Sequence, residues 1–327
     1  MNFTVVALGD SFSCGEGVGL NIRPDQTWTA LLCAAFPRAR LVNLSAAGAR
    51  VRDVRRHQLP AAVAAQPHLA TIMVGLNDVI RSGLCAEQIS LDMQVLVDEL
   101  RGGGATVLIA RWHDPGAVLG LPTGLRRALA TRLAWVNDAV DAAVAGALGP
   151  HAVRHSFRDL DVIVGSGPRS GQRTDNNVKI TSKWGVGVLT LDLGCVPELT
   201  DPGAWAVDGV HPSPAGHRAI ALSAARILAA NGTPGLRVPE VADLLPMPPG
   251  AGGTRRARWL LSRGLPWLVQ HSGRVAPAVA SMATQAIREQ RRAVRLPLLP
   301  IRERAAAQDV GCLVGVVESI GSDRPVR

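Results

Sequence analysis

The chain has 327 residues, 47% of them apolar and 19% charged, so it carries material for a sizeable core and a wholly disordered chain is excluded. Its net charge of +9 is uneven: residues 236–327 hold 14 Arg against 7 acidic residues, whereas residues 1–235 hold 21 basic against 19 acidic. The basic excess belongs to the C-terminal quarter and says little about a site elsewhere. No uninterrupted apolar run reaches the ~18 residues of a spanning helix, so no transmembrane segment is expected. Five cysteines, at positions 14, 33, 85, 195 and 312, are odd in number and show no CxxC spacing. Neither a disulfide framework nor a structural zinc site is expected, and a reduced, cytoplasmic setting is the default.

The N-terminal MNFTVVALGD has no basic leader and no small-residue cleavage site, and its apolar run predicts a first strand over Phe3–Leu8. Helical spacing follows over Gln26–Phe36, a second strand over Leu41–Leu44 and a third over Leu69–Val74, the last halted at a glycine. Ala86–Leu100 is periodic like a helix and stops at Gly102-Gly103-Gly104. A fourth strand is expected over Thr106–Ala110, one or two helices over Leu125–Leu148, and a fifth strand over Ala152–Ser156. This β-α alternation predicts a parallel sheet covered on both faces, with ligands beyond the carboxyl ends of the strands. Residues 165–200 are polar and turn-rich, hold the chain's two lysines (Lys179 and Lys183), and are expected to form a flexible surface insertion. Residues 233–253 are rich in Pro and Gly, as a linker is. Residues 254–327 are expected to be an Arg-rich extension, helical or partly disordered, carrying Trp259 and Trp267.

Four short segments carry chemistry. Gly9-Asp10-Ser11-Phe12 follows the first strand, where a serine hydroxyl can face a crevice; taken alone, it reads equally well as a turn or a helix cap. Asp208-Gly-Val-His211 leads into Ser213-Pro214, a helix start. Asp208 and His211 are three residues apart, close enough for the carboxylate to hold one ring nitrogen and leave the other to take a proton from a serine. A surface His paired casually with an Asp is the bland alternative. Asn77, in Gly75-Leu-Asn77-Asp78 past the third strand, can donate its amide to a developing oxyanion, or merely satisfy its own turn. Gly48, closing Asn43-Leu-Ser-Ala-Ala-Gly48, allows a backbone N–H close to a substrate oxygen, or is an ordinary loop glycine.

Together and in this order, the GDSF, Gly48, GLND and DGVH segments resemble the SGNH (GDSL-like) hydrolase superfamily. The resemblance covers about residues 1–230, with Phe12 standing where the family's namesake motif has Leu. It implies a three-layer, flavodoxin-like α/β domain over residues 1–232. It also implies a serine esterase with Ser11 as nucleophile, His211 as general base and acid, and Asp208 as the orienting carboxylate. The implied oxyanion hole comprises the N–H groups of Ser11 and Gly48 and the side chain of Asn77. The substrate is then a small acyl ester, and no cofactor is implied. An acyltransferase using the same residues, or a vestigial site whose basic extension binds acidic surfaces, are the alternatives.

Other features carry less. The G-x-S-x-G elbow of α/β-hydrolases is absent. Asp10 and Asp78 are expected to hold their loops through bonds to backbone. His217, six residues after His211, is expected to pack in or on the following helix, and His113-Asp114 is a weaker candidate for lining the crevice. Gly15-x-Gly17-x-Gly19 does not complete a dinucleotide fingerprint, no P-loop occurs, and no residue cluster has metal spacing. Residues 254–304 hold 11 Arg against 2 acidic residues, which allows a weak contact with an anionic surface. Packing of Trp259, Leu260, Leu261, Trp267 and Leu268 on the domain is favoured over that contact, and no nucleic acid is expected.

Overall fold

The computed structural model describes residues 3–15, 22–115, 123–148 and 187–238, together with a few single positions beyond. Five strands, β1 Thr4–Gly9, β2 Arg40–Asn43, β3 Leu69–Met73, β4 Thr106–Arg111 and β5 Val188–Asp192, form one sheet in the order β2-β1-β3-β4-β5. Every pair is parallel. β1 and β3 are buried along their whole length, as strands covered on both faces must be, whereas β2 at one edge is partly exposed.

Among the described residues the α-helices are α1 Ser11–Cys14, α2 Trp28–Ala34, α3 Val51–Asp53, α4 Leu59–Ala64, α5 Leu76–Ile80, α6 Ala86–Gly102, α7 Thr123–Leu148 and α8 Pro214–Ala230. α6 packs on α7, and α8 packs on α2. Right-handed crossovers in this strand order put α2 on one face and α3, α4, α6 and α7 on the other, giving three layers. The order reverses between β1 and β3, so the crevice outside their carboxyl ends is where this architecture takes a ligand.

Four of the expected strands stand within one or two residues of their expected bounds, and the stretch expected as one or two helices is the single helix α7. The insertion needs a correction. Val188–Asp192 pairs with β4 and lies inside the segment expected to be a flexible insertion, so that reading fails for residues 187–200. The run Val-Leu-Thr-Leu-Asp has the β-branched and apolar content of a strand, but the polar residues before it dominated the segment's composition. The expected strand at Ala152–Ser156, residues 165–186 of the insertion, the linker from 239 and nearly all of the extension lie outside the described residues. No described helix is long and apolar enough to cross a membrane.

Candidate active site

β1 ends at Gly9, whose φ of 152° and proximity to β3 leave no room for a side chain: a β-carbon there would stand 2.2 Å from the carbonyl oxygen of Met73. Only glycine lets the chain turn at that point. The turn is pinned from a distance by Gln58. Its buried amide accepts from the Gly9 N–H at 2.8 Å and donates to the Gly9 carbonyl at 2.9 Å. Gln58 ends a π-helical turn, Val54–Gln58, between α3 and α4, in which the Leu59 N–H bonds back to Val54. Pro60 removes a donor from the ladder just beyond, which gives a physical reason for the irregular turn.

The Asp10 N–H donates to Met73 at 3.3 Å, and one Asp10 oxygen caps α1 by accepting from the Phe12 N–H at 3.0 Å. The other oxygen accepts from Asn77 Nδ2 at 3.2 Å. Burial pushes the Asp10 carboxyl up to about 7, against the lowering effect of the Phe12 N–H and the His211 charge. Asp78 is likewise raised by burial, to about 6, and accepts from the Val51 N–H at 3.1 Å. Both acids therefore hold backbone, as expected, and Asp10 also orients the amide of Asn77. With one amide hydrogen on Asp10, Asn77 keeps its second for another acceptor.

Ser11 opens α1, so its N–H has no acceptor within that helix. Phe12 is fully buried and meets Trp112 edge-on at 4.9 Å and the His211 ring at 5.7 Å. Trp112 is fixed by a reciprocal pair of bonds with the Asn137 side chain and by its own indole N–H on the Val74 carbonyl. The aromatic ring at position 12 thus packs beside the imidazole.

The Asp208–His211 loop is shaped by its own residues. One Asp208 oxygen accepts from the Val210 and His211 N–H groups, each at 3.0 Å, and the other lies 2.6 Å from His211 Nδ1. A bridge between Trp205 and Pro212 closes the loop at its base. Ser213 caps α8 by accepting from the Gly216 N–H and donates to the Gly203 carbonyl. His211 Nε2 then lies 2.8 Å from Ser11 Oγ. A carboxylate on Nδ1 fixes the hydrogen there and leaves Nε2 to accept the serine proton.

Gly48 lies in a turn with φ of 77°, a left-handed conformation that suits glycine. The turn is bonded to β1 through the Ala46 N–H on the Gly9 carbonyl at 3.1 Å. Ser11, Asp208 and His211 are thus in one hydrogen-bonded line. Asn77 joins them through Asp10, and Gly48 through the Gly9 backbone.

His217 is fully buried; its Nδ1 accepts from the Trp28 N–H at 3.2 Å, and burial pushes its pKa down to about 3. It packs α8 on α2 and does not reach Ser11. His113 lies tilted against Trp205 at 4.6 Å; among the described residues both its ring nitrogens lack a partner, and burial pushes its pKa down to about 4. Gln58 was not legible as a site residue, because a lone Gln before a Leu-Pro pair has no motif. Among the described residues no group of three His, Cys, Asp or Glu side chains is placed to hold a metal ion.

A family model described as the GDSL-like lipase/acylhydrolase family matches residues 7–219. Among solved structures the chain is similar to TesA, at 19% identity over 70% of this chain and 99% of that one, with a TM-score of 0.46. It is similar to the lipase/acylhydrolase from Enterococcus faecalis, at 14% identity over 73% and 100% of the two chains, with a TM-score of 0.46. A third is the psychrotrophic esterase EstA from Pseudoalteromonas sp., at 14% identity over 70% and 98%, with a TM-score of 0.45. No curated protein matches the chain.

Proposed function

The chain belongs to the GDSL-like lipase/acylhydrolase family and is a hydrolase of the esterase or lipase type; from that premise we propose that it cleaves carboxylic acyl esters through an acyl-enzyme on Ser11. The observation that carries this reading is the hydrogen-bonded line from Asp208 through His211 to Ser11, at 2.6 and 2.8 Å. Ser11 Oγ attacks the ester carbon while its proton passes to His211 Nε2. The imidazolium that forms is stabilised by the Asp208 carboxylate on Nδ1. The carbonyl oxygen becomes an oxyanion, which accepts from the N–H groups of Ser11 and Gly48 and from the Asn77 amide. Each such donor is worth roughly 10²–10³ in rate. His211 returns the proton to the departing alkoxide as the carbon–oxygen bond breaks. Water then attacks the acyl-enzyme with His211 again as base, and the carboxylic acid leaves with Ser11 restored.

The test is hydrolysis of p-nitrophenyl acetate by the full chain and by Ser11→Ala. The variant is expected to lose at least ~10⁴-fold in kcat. Equal rates would overturn the assignment of Ser11 as nucleophile.

A further inference from the structure

Arg81 follows α5 in an extended conformation, at φ −105° and ψ 161°. Its backbone is tied down by Arg132 on α7, whose buried guanidinium donates to the carbonyls of Asp78 and Arg81. From this anchored point the exposed Arg81 side chain reaches over the Gly48 turn. Its Nη2 lies 3.0 Å from where a β-carbon on residue 48 would stand, and among the described residues no other group beyond the chain neighbours comes within 4 Å of that position. Asp78 feels the Arg81 charge but spends its hydrogen bond on the Val51 N–H, and Asp53 bonds the Arg50 N–H. Among the described residues the Arg81 guanidinium takes part in no ion pair and no side-chain hydrogen bond.

We propose that Arg81 selects esters that carry a carboxylate or phosphate group close to the scissile bond. This substrate class rests on the serine-esterase reading above. An ester carbonyl held by the Gly48 N–H brings its substituents beside the guanidinium. A planar fork of donors matches the paired oxygens of a carboxylate or phosphate and offers nothing to a hydrocarbon chain. Among the described residues the nearest carboxyl that feels Arg81 is that of Asp78, which is buried and bonded to the Val51 N–H, so the guanidinium keeps its donors for the substrate.

The experiment compares esters of equal length with and without the charge, using the full chain and Arg81→Gln. On the acyl side the pair is mono-p-nitrophenyl succinate and p-nitrophenyl butyrate; on the alcohol side it is 1-butyrylglycerol 3-phosphate and 1-butyrylglycerol. The ratio of kcat/KM for charged over neutral ester is expected to fall at least about tenfold in Arg81→Gln for one pair, and to be partly retained in Arg81→Lys. The pair that responds locates the anion on the acyl or the alcohol side. Ratios unchanged in both pairs would overturn the proposal. A second readout does not depend on turnover: calorimetric binding of mono-p-nitrophenyl succinate and of 1-butyrylglycerol 3-phosphate to Ser11→Ala, with and without Arg81→Gln. A tenfold weakening of either supports the anion site even if no ester is hydrolysed, which would instead sink the esterase reading. Equal affinities for both ligands overturn the anion site.

Discussion

Ser11 and His211 meet at 2.8 Å although 200 residues separate them, and the segments that carry them are held by different means. The Ser11 turn is buried, and its ties come from far along the chain: Gln58 on Gly9, Met73 on Asp10, and Asn77 on Asp10. The His211 loop is tied mostly by residues close in sequence. Asp208 takes the N–H groups of residues 210 and 211, Trp205 pairs with Pro212, and Ser213 caps α8. The tertiary-held Ser11 segment fails with the sheet, whereas the locally held His211 loop can be disturbed while the domain stays folded.

The two carboxylates beside the Ser11–His211 pair give the sharpest contrast. Asp208→Asn keeps an oxygen for the two N–H groups but presents an amide N–H to His211 Nδ1. The ring must then carry its hydrogen on Nε2, where it can no longer accept the Ser11 proton. The expected loss is ~10⁴-fold in kcat, with a melting temperature close to the parent's by calorimetry. A large fall in melting temperature would show that the loop is not locally held.

Asp10 is expected to act on stability through pH. Burial raises its carboxyl from the ordinary 3.8 to about 7 in the fold, so the native state binds the extra proton between those two points. The stabilisation is complete below pH 3.8, is lost as pH rises through 7, and is absent above it. The span corresponds to on the order of 4 kcal/mol. Asp10→Asn removes this titration, so its stability relative to the parent should rise across the same window, as read by urea unfolding at several pH values. A constant difference would show that Asp10 is ionised throughout.

Gln58→Leu strips partners from both the N–H and the carbonyl of Gly9 in the interior. It is expected to cost about 2–3 kcal/mol of stability by urea unfolding. Ser213→Ala, on the locally held side, removes one helix cap and is expected to cost only about 1 kcal/mol by the same measurement. Equal costs for the two would remove the distinction between the segments.

Much of this protein is written in short stretches of sequence. Strands β1 to β4 were legible because each is a β-branched or apolar run; β1 ends on a glycine, and β3 is followed within two residues by one that breaks the pattern. Asp208 and His211 were legible as a pair because a three-residue spacing on a loop lets a carboxylate reach an imidazole. β5 was hidden because a five-residue strand sits beside a long polar stretch, and composition averages over both. Only the tertiary structure decided that Gln58 holds Gly9, that Asp10 orients Asn77, and that Arg81 lies over Gly48. Those contacts join elements distant in sequence, so their formation depends on strand order and helix packing. Local pattern fixes which residues turn, cap or pleat, whereas the meeting of two distant side chains depends on the whole sheet being assembled.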